Sequence, residues 1–358
     1  MEEFKFSVLS NEVRIIPDII EKRVSGKDYV GYGEDNKFPQ YIWNLYLKSA
    51  VLQGIVNGTC DFVSGNGIVS NLPIEEVNED GETLEDIIRK ISMDYGIFGG
   101  FCFQVIKDYN GSIKELYWLD MQNVRLNKDG DKAYYCDKWG QYGERAIEYE
   151  VWDPKKNQSN FVVYFKGHIT RGLYPVPRFI GALAAIETST EIGKFHLNNI
   201  LNNLSSSAII NFNNGEPSEE EKRMIEKKLN EKFSGANNAG KFMLVFNNNK
   251  ESAVSVERLT EDNYDKKFET LTKSTKEEIF IAHRAYPVLF GMKEENGGFS
   301  RVEFLEAFEL YNKTVVNPIQ KDIQRVFDKL FNMKNSIIFN KFGLEDSGEE
   351  NATISIKN

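Results

Sequence analysis

The sequence predicts an α+β fold, and three observations carry that prediction. Apolar residues recur near the 3.6-residue helical period over 39–63 and again over 83–94. After Gly99-Gly100 the pattern changes to the period of two that is typical of strands. The second half of the chain consists mainly of long helical segments, which enclose one short strand–helix–strand unit.

The elements of the first half follow from local signals. A helix is expected from Pro39 to Val63 and is closed by the turn Gly65-Asn66-Gly67. Thr83 caps a second helix that is expected to reach Asp94. Asn110-Gly111 then joins the two strands of FCFQVIKDYNGSIKELYWLD in a hairpin. Further strands are expected at Val124–Leu126, Ala133–Cys136, Glu148–Trp152 and Phe161–Phe165.

The second half is predicted in the same way. Three long helices are expected over Gly181–Leu204, Thr260–Arg284 and Ser300–Phe331, the last with a capping box at Ser300 and Glu303 and a kink at Pro318. Between the first two lie strands at Ala208–Phe212 and Phe242–Phe246 and a capped amphipathic helix over Ser218–Phe233. Tyr286-Pro287 is expected to stop the second helix, a loop covers Gly291–Phe299, and a weak strand is expected at Thr353–Ile356.

Composition narrows the class of protein. The 358 residues are enough for about two domains, and 41% apolar with 13% aromatic residues exclude a wholly disordered chain. Lys and Arg number 44 against 54 Asp and Glu, a formal net charge of −10. Tight binding to nucleic acid needs a basic excess, so the overall charge argues against it and leaves only local basic patches.

The cysteines and the termini give expectations about the cellular compartment. Cys60, Cys102 and Cys136 show no CxxC spacing and are odd in number, which predicts reduced, structural thiols. The acidic start MEEFKFSVLSNEV lacks the apolar core of a signal peptide, and no apolar run is long enough to span a membrane. A reducing, aqueous compartment is expected, without membrane contact.

The sequence contains few residues in patterns that are typical of catalytic or metal sites. His168, His196 and His283 each stand alone, and no HExxH, P-loop or GxSxG motif is present. The acidic pairs Glu294-Glu295 and Glu349-Glu350 fall in predicted loops, where solvated charge is the ordinary interpretation. The sequence therefore predicts no enzyme, no metal site and no cofactor.

The arrangement of the second half allows two interpretations. Two long helices flank a strand–helix–strand unit that is too small to bury much core alone. It is either an ordinary α+β subdomain on a helical hairpin, or part of an assembly in which helices of several copies pack in a ring and the small unit projects toward a partner.

Four stretches, in order, resemble the portal protein of tailed bacteriophages, in the siphophage-like branch. They are MDYGIFGGFCFQVIKDYNGSIKELYWLDMQNVRL (93–126), FKGHITRGLYPVPRFIGALAAIETSTEIGKF (165–195), AGKFMLVFNNN (239–249) and EEIFIAHRAYPVLFGMKEENGGFSRVEFLEAFELYNKTVVNPIQKDIQRVFDKL (277–330). The resemblance extends over about residues 40–333, and the last stretch is the most specific. The first 36 residues match nothing in the family, and the short acidic region after 333 makes a large crown doubtful.

The resemblance implies a portal fold with named parts. These are an α/β wing (1–180), a first stem helix (181–205), an α/β clip (206–258), a second stem helix (259–286), a channel loop (287–299), a long kinked wing or crown helix (300–333) and a short C-terminal segment (334–358).

The resemblance also implies a function. Portal subunits form a ring, usually of twelve, at one vertex of the capsid, after assembly in the cytoplasm of a bacterial host. Double-stranded DNA passes through the bore transiently and without sequence specificity. The implied partners are the terminase large subunit, a head-completion or adaptor protein, and the major capsid and scaffold proteins.

Candidate site residues follow from these parts. The expected DNA-channel residues are Lys266, Lys267, Lys273, Lys276, Lys293, Glu294, Glu295, Asn296, Gly297 and Gly298. The expected docking residues of the clip are Glu219, Arg223, Lys227 and Lys228. The alternative for each charged residue is a solvated surface position, and for the glycines a plain connector between helices.

Two other functions stay open at the level of sequence. A monomeric adaptor or scaffold protein would pack its long helices internally and remain monomeric. An enzyme of nucleic-acid metabolism would use the long loop as a mobile lid and would need a convergent polar cleft.

Overall fold

A computed structural model describes residues 20–72, 74, 76–168, 170–201, 208–212, 218, 220, 221, 223, 224, 242–246, 264–292 and 300–340. The chain divides into two units. The first comprises Met1–Ala184 with Glu278–Asn358, and the second comprises Ala185–Glu277. The predicted strand at Thr353–Ile356 lies outside the described residues.

The described chain contains both helices and strands. The helices are α1 (Phe38–Lys48), α2 (Ala50–Ser64), α3 (Leu84–Phe98), α4 (Leu183–Leu201), α5 (Tyr264–His283), α6 (Arg301–Tyr311) and α7 (Asn317–Leu330). The strands are β1 (Glu21–Arg23), β2 (Val30–Tyr32), β3 (Ile68–Ser70), β4 (Gly100–Lys107), β5 (Ile113–Leu119), β6 (Val124–Leu126), β7 (Lys132–Tyr135), β8 (Ile147–Glu150), β9 (Asn160–Lys166), β10 (Ala208–Phe212), β11 (Phe242–Phe246) and β12 (Ile337–Phe339).

The first predicted helix is two helices, so the expectation of one helix over 39–63 is wrong. Ser49 separates α1 from α2 with an extended backbone (ψ 107°), and its hydroxyl accepts a hydrogen bond from the Leu52 N–H at 3.3 Å. A buried serine therefore ends one helix and caps the next. The apolar period runs on through the break, which is why the sequence pattern does not reveal it.

Helix α3 begins as predicted and runs one turn further. Thr83 and Asp86 form a reciprocal capping box, and Gly99 ends the helix in the left-handed conformation at φ 78°. A Cβ atom at Gly99 would lie 2.1 Å from the Val176 carbonyl oxygen, so glycine is required there by both conformation and space. The expected end at Asp94 is corrected to Phe98, because Tyr95, Ile97 and Phe98 are all buried.

The predicted hairpin is confirmed and forms the centre of the first unit. Strand β4 lies between β5 and β9 in an antiparallel sheet of three strands. The rings of Phe101 and Phe165 stack at 4.8 Å, and Phe103 stacks on Phe327 of α7 at 5.5 Å. The hydrophobic core therefore joins this sheet to the last helix of the unit.

Smaller sheets complete the first unit. Strands β6, β7 and β8 form an antiparallel sheet close to the predicted positions. Strand β1 pairs with β2, and β12 pairs with β3 in antiparallel register from Ile337–Ser70 to Phe339–Ile68. None of these last four strands is predicted from the sequence, because each has only three residues and is defined by its partner.

The long C-terminal helix is interrupted. Next to the predicted kink at Pro318, residues Asn312–Val316 form a π-helical turn between α6 and α7, and the Asn317 N–H bonds to the Asn312 carbonyl. Pro318 then occupies the first turn of α7, where no N–H is needed. The turn thus accommodates a residue that has no place in an α-helix interior.

The second unit contains α4 and most of α5, with β10 and β11. The two strands match the predicted positions and pair in parallel, from Ala208–Phe242 to Phe212–Phe246. Phe195 of α4 stacks on Phe268 of α5 at 4.8 Å, and His196 packs edge-on against the same ring at 5.6 Å. The two long helices therefore pack together through aromatic side chains.

Candidate functional site

The predicted channel loop is described only at its two ends. Pro287–Phe290 form a short 3-10 turn, and Gly291 follows with φ 76°. Ser300 begins the described chain again, and its hydroxyl accepts the Glu303 N–H at the start of α6. The loop residues Lys293, Glu294, Glu295, Asn296, Gly297 and Gly298 lie outside the described residues.

Both ends of this loop are attached to one group of aromatic rings, which we call the anchor cluster: Phe62, Phe280, Phe290, Phe308 and Tyr311. The Phe290 ring lies 6.2 Å from Phe62, 6.0 Å from Phe280 and 5.8 Å from Tyr311. Phe308 of α6 packs edge-on against Phe62 at 5.7 Å. Edge-to-face pairs of this kind stabilise beyond their buried area. Helix α2 thus holds the chain just before the loop and just after it.

A hydrogen bond and a glycine on α2 hold the anchor cluster in position. The Tyr311 hydroxyl lies 2.7 Å from the Thr59 hydroxyl, and both groups are buried. A Cβ atom at Gly58 would lie 2.8 Å from the Phe290 ring, so the absence of a side chain there makes room for the ring. Gly58 is not among the predicted site residues, although a glycine inside an apolar helical stretch is a signal of close approach.

Helix α5 ends at His283, within one residue of the predicted end, but a C-terminal capping motif and not Tyr286-Pro287 terminates it. Arg284 takes the left-handed conformation at φ 53°, and the Ala285 N–H bonds to the Phe280 carbonyl at 2.9 Å. The Arg284 N–H bonds to the Ile281 carbonyl, which completes a Schellman motif. Glycine usually occupies this position, and the arginine gives no local signal that the helix ends there.

His283 lies at that end of α5 and is structural. Its ring stacks on Phe179 at 4.9 Å. Burial, together with the nearby Arg178 guanidinium, lowers the pKa of His283 to about 3, so the imidazole is neutral at physiological pH. Within the described chain, neither His283 Nε2 nor Arg178 Nη1 has a hydrogen-bond partner.

The predicted channel lysines of the stem all belong to α5. Lys273 is exposed and Lys276 is half-buried, one helical turn apart; Lys266 and Lys267 lie near the start of the helix. The exposed residues around Lys273 and Lys276 include Glu269, Glu277 and Glu278. This part of the helix surface therefore carries mixed charge and is not uniformly basic.

The clip is described in part. Ser218 and Glu221 form the predicted capping contacts, with the Ser218 N–H donating to the Glu221 carboxylate at 2.9 Å. Arg223 is helical and exposed. Glu219, Lys227 and Lys228, the other predicted docking residues, lie outside the described residues.

The three cysteines all lie in the described part of the chain. Cys60, Cys102 and Cys136 are free and buried, as predicted, and burial raises the pKa of Cys60 and Cys102 above the ordinary range. Among the described residues, no three His, Cys, Asp or Glu side chains are grouped as a metal site requires. No described helix is both long and apolar enough to cross a membrane.

Known proteins match this chain in sequence pattern and in fold. The family model described as "Phage portal protein" matches residues 75–355. A chain in the virion of a native gene transfer agent particle is 14% identical with a TM-score of 0.55, over 84% of this chain and 82% of that one. A chain in the neck of the native particle, computed with C12 symmetry, gives 14% identity and a TM-score of 0.55 over 84% and 83%.

A crystal structure gives a further match. An HK97 family phage portal protein from Corynebacterium diphtheriae is 13% identical with a TM-score of 0.50, over 82% of this chain and 92% of that one. Among curated proteins no match is found. Identities this low establish the shared fold, whereas the family model spans well over half of the sequence. The chain therefore belongs to the phage portal protein family.

Proposed function

We propose that this protein forms a ring at one capsid vertex and that double-stranded DNA passes through its bore during packaging and ejection. Family membership over residues 75–355 carries the proposal. The family is structural rather than catalytic. Matches to necks of gene transfer agent particles, computed with C6 and C12 symmetry, support a ring, and a ring of twelve copies fits the second of these.

The channel loop, residues 287–299, is proposed to line the bore. Its flanks are fixed on the anchor cluster, so the ends of the loop would stay in place if the loop moves against the passing DNA. The glycines Gly297 and Gly298 suit such movement, because glycine accepts a wide range of backbone conformations. Lys266, Lys267, Lys273, Lys276 and Lys293 would make transient phosphate contacts.

The clip, residues 206–258, is proposed to bind the terminase large subunit and later a head-completion or adaptor protein. The mixed charges of Glu219, Arg223, Lys227 and Lys228 suit a polar interface that exchanges partners. Contacts with the major capsid and scaffold proteins would hold the ring in its vertex.

Native mass spectrometry with negative-stain microscopy tests the ring. Rings of about twelve subunits with an axial hole are the expected result. A monomer that persists at high concentration and in the presence of scaffold protein would contradict the proposal and favour the adaptor alternative.

Deletion of residues 293–298 tests the loop. Because the anchor cluster lies outside the deleted segment, rings should form as in the wild type, while DNA packaging or retention falls. Replacing the same segment by a Gly/Ser linker of equal length is the matched control for loop length. Loss of folding or of ring formation on deletion would show that the loop is structural and not part of the channel.

A further inference from the structure

The surface of α7 carries a row of cations that the channel proposal does not use. Lys321, Arg325 and Lys329 follow one another at intervals of four residues and therefore lie on one face of the helix. Lys334 follows in the turn after α7. With Gln324 and Asp328 these residues line an open groove of about 520 Å³, which we call the basic groove.

Three of the four cations of the basic groove have no ion pair within the described chain. Lys321, Lys329 and Lys334 are exposed, and none of them has an ion pair or side-chain hydrogen bond within the described chain. Arg325 is held by Asp322 on the inner side of the helix. Asp328, the carboxylate of the groove, already accepts the N–H and the hydroxyl of Ser336, each at 2.8 Å.

The walls of the basic groove are fixed by hydrogen bonds that do not involve the cations. The Gln324 amide donates to the Asn335 side chain at 3.1 Å, and the Met333 N–H donates to the Asp328 carbonyl at 3.0 Å. The Asn71 amide holds the Asn335 carbonyl at 2.8 Å. The turn after α7 is therefore in place before any partner binds, which lowers the entropic cost of binding.

The spacing of the cations indicates a repeating anion. Steps of four residues place Lys321, Arg325 and Lys329 about 6 Å apart along the axis. A DNA strand presents its phosphates at regular intervals of a few ångströms along its backbone, so a row of evenly spaced cations can contact more than one phosphate. Met333 is the apolar residue of the groove and is only partly exposed, at 40%. A protein partner would need a larger apolar centre.

We propose that the basic groove binds the phosphate backbone of duplex DNA without sequence preference, as a contact additional to those in the bore. The inference goes beyond the proposed channel, and its test does not depend on passage through the ring. The three unpaired lysines supply most of the binding, and amide groups such as Gln324 can add the neutral phosphate contacts that position a backbone.

The test uses the assembled full-length protein and a covalently closed circular duplex, which cannot thread through a ring. The variant K321Q/K329Q/K334Q removes three exposed positive charges that have no partner in the described chain. We expect it to bind the closed circle at least tenfold more weakly at low salt. The slope of the logarithm of the binding constant against the logarithm of salt concentration should flatten by about 0.9 for each lysine that no longer neutralises a phosphate.

The matched control is K128Q/K155Q/K156Q, which makes the same change in net charge at three exposed lysines outside the groove. It should bind like the wild type. Equal weakening in both variants would assign the effect to net charge and overturn the proposal. Unchanged DNA binding by the groove variant would also overturn the proposal. If this variant instead lost binding to polyglutamate, used as a model of an acidic protein, the groove would be a site for acidic protein. Native mass spectrometry of each variant separates these results from failure to form rings.

Discussion

Arg125 is a fully buried guanidinium without a carboxylate partner among the described residues. It donates to the carbonyls of Asn36 at 2.7 Å and Val124 at 2.8 Å, and it lies 5.1 Å from the Trp139 ring. Burial lowers the pKa of Arg125 to about 10, so the group stays charged at neutral pH. Its donors tie the loop at Asn36 to β6, an interaction that no local sequence pattern indicates.

His283 should make stability depend on pH. Its folded pKa of about 3 lies below the ordinary value of 6.5, so the folded state resists protonation more than the unfolded state does. The contribution of His283 to the free energy of unfolding is therefore complete above about pH 6.5. Below that pH the free energy of unfolding falls by about 1.4 kcal/mol per pH unit because of this group. His283→Phe keeps the ring contact with Phe179 and removes the titration.

Urea denaturation of both proteins between pH 7 and pH 5 measures this effect. As the pH falls from 7 to 5, the free energy of unfolding of His283→Phe should increase relative to that of the wild type by about 2 kcal/mol. Parallel pH profiles would show that the imidazole can be protonated in the folded state.

Gly58 should be intolerant of a side chain. A Cβ atom there would lie 2.8 Å from the Phe290 ring, whereas a Cβ atom at Gly54, one turn earlier in α2, would meet nothing within 4 Å. Alanine stabilises a helix relative to glycine by up to about 1 kcal/mol, and both variants gain this amount. Only Gly58→Ala displaces the anchor cluster, which should destabilise the fold by about 1–3 kcal/mol. Urea denaturation should give a clearly lower free energy of unfolding for Gly58→Ala than for Gly54→Ala. Equal stability of the two variants would mean that the ring adjusts freely.

At the scale of elements, the helices and strands that neighbouring residues determine are predicted, whereas those that depend on distant segments are not. The hairpin of β4 and β5 and the Thr83 cap of α3 match the sequence prediction because their determinants are neighbours in the chain. Strands β3 and β12 are missed, because each is a strand only through pairing with a segment far away in the sequence. The break at Ser49 is missed since one polar residue does not disturb the apolar period.

The π-helical turn leads to a prediction about Pro318. Because the turn at Asn312–Val316 already accommodates the proline, Pro318→Ala should change the free energy of unfolding by less than about 1 kcal/mol. A proline in the interior of α6, as in Ala307→Pro, should cost about 3 kcal/mol or more. Urea denaturation compares the two variants. A large gain from Pro318→Ala would show that the π-helical turn is strained by the proline.

At the scale of the whole molecule, charge should govern assembly. A formal net charge of −10 per chain gives a proposed ring of twelve about −120, so the copies repel one another. Raising the salt concentration from about 0.05 M to about 0.5 M shortens the range of this repulsion and should increase the fraction of rings. Mass photometry at fixed protein concentration measures that fraction. Dissociation of rings at high salt would instead identify ion pairs as the main contacts between copies.

The sequence by itself determined the α+β class, the family and the positions of most long elements. These features follow from the helical period, strand alternation, helix caps and the order of four stretches. All of these patterns can be recognised in the sequence without knowledge of the fold. Tertiary structure alone decided the anchor cluster, the buried Arg125, the neutral His283 and the basic groove. These features depend on distance, burial and the dielectric environment between segments that are remote in the chain, and such quantities exist only after the chain has folded.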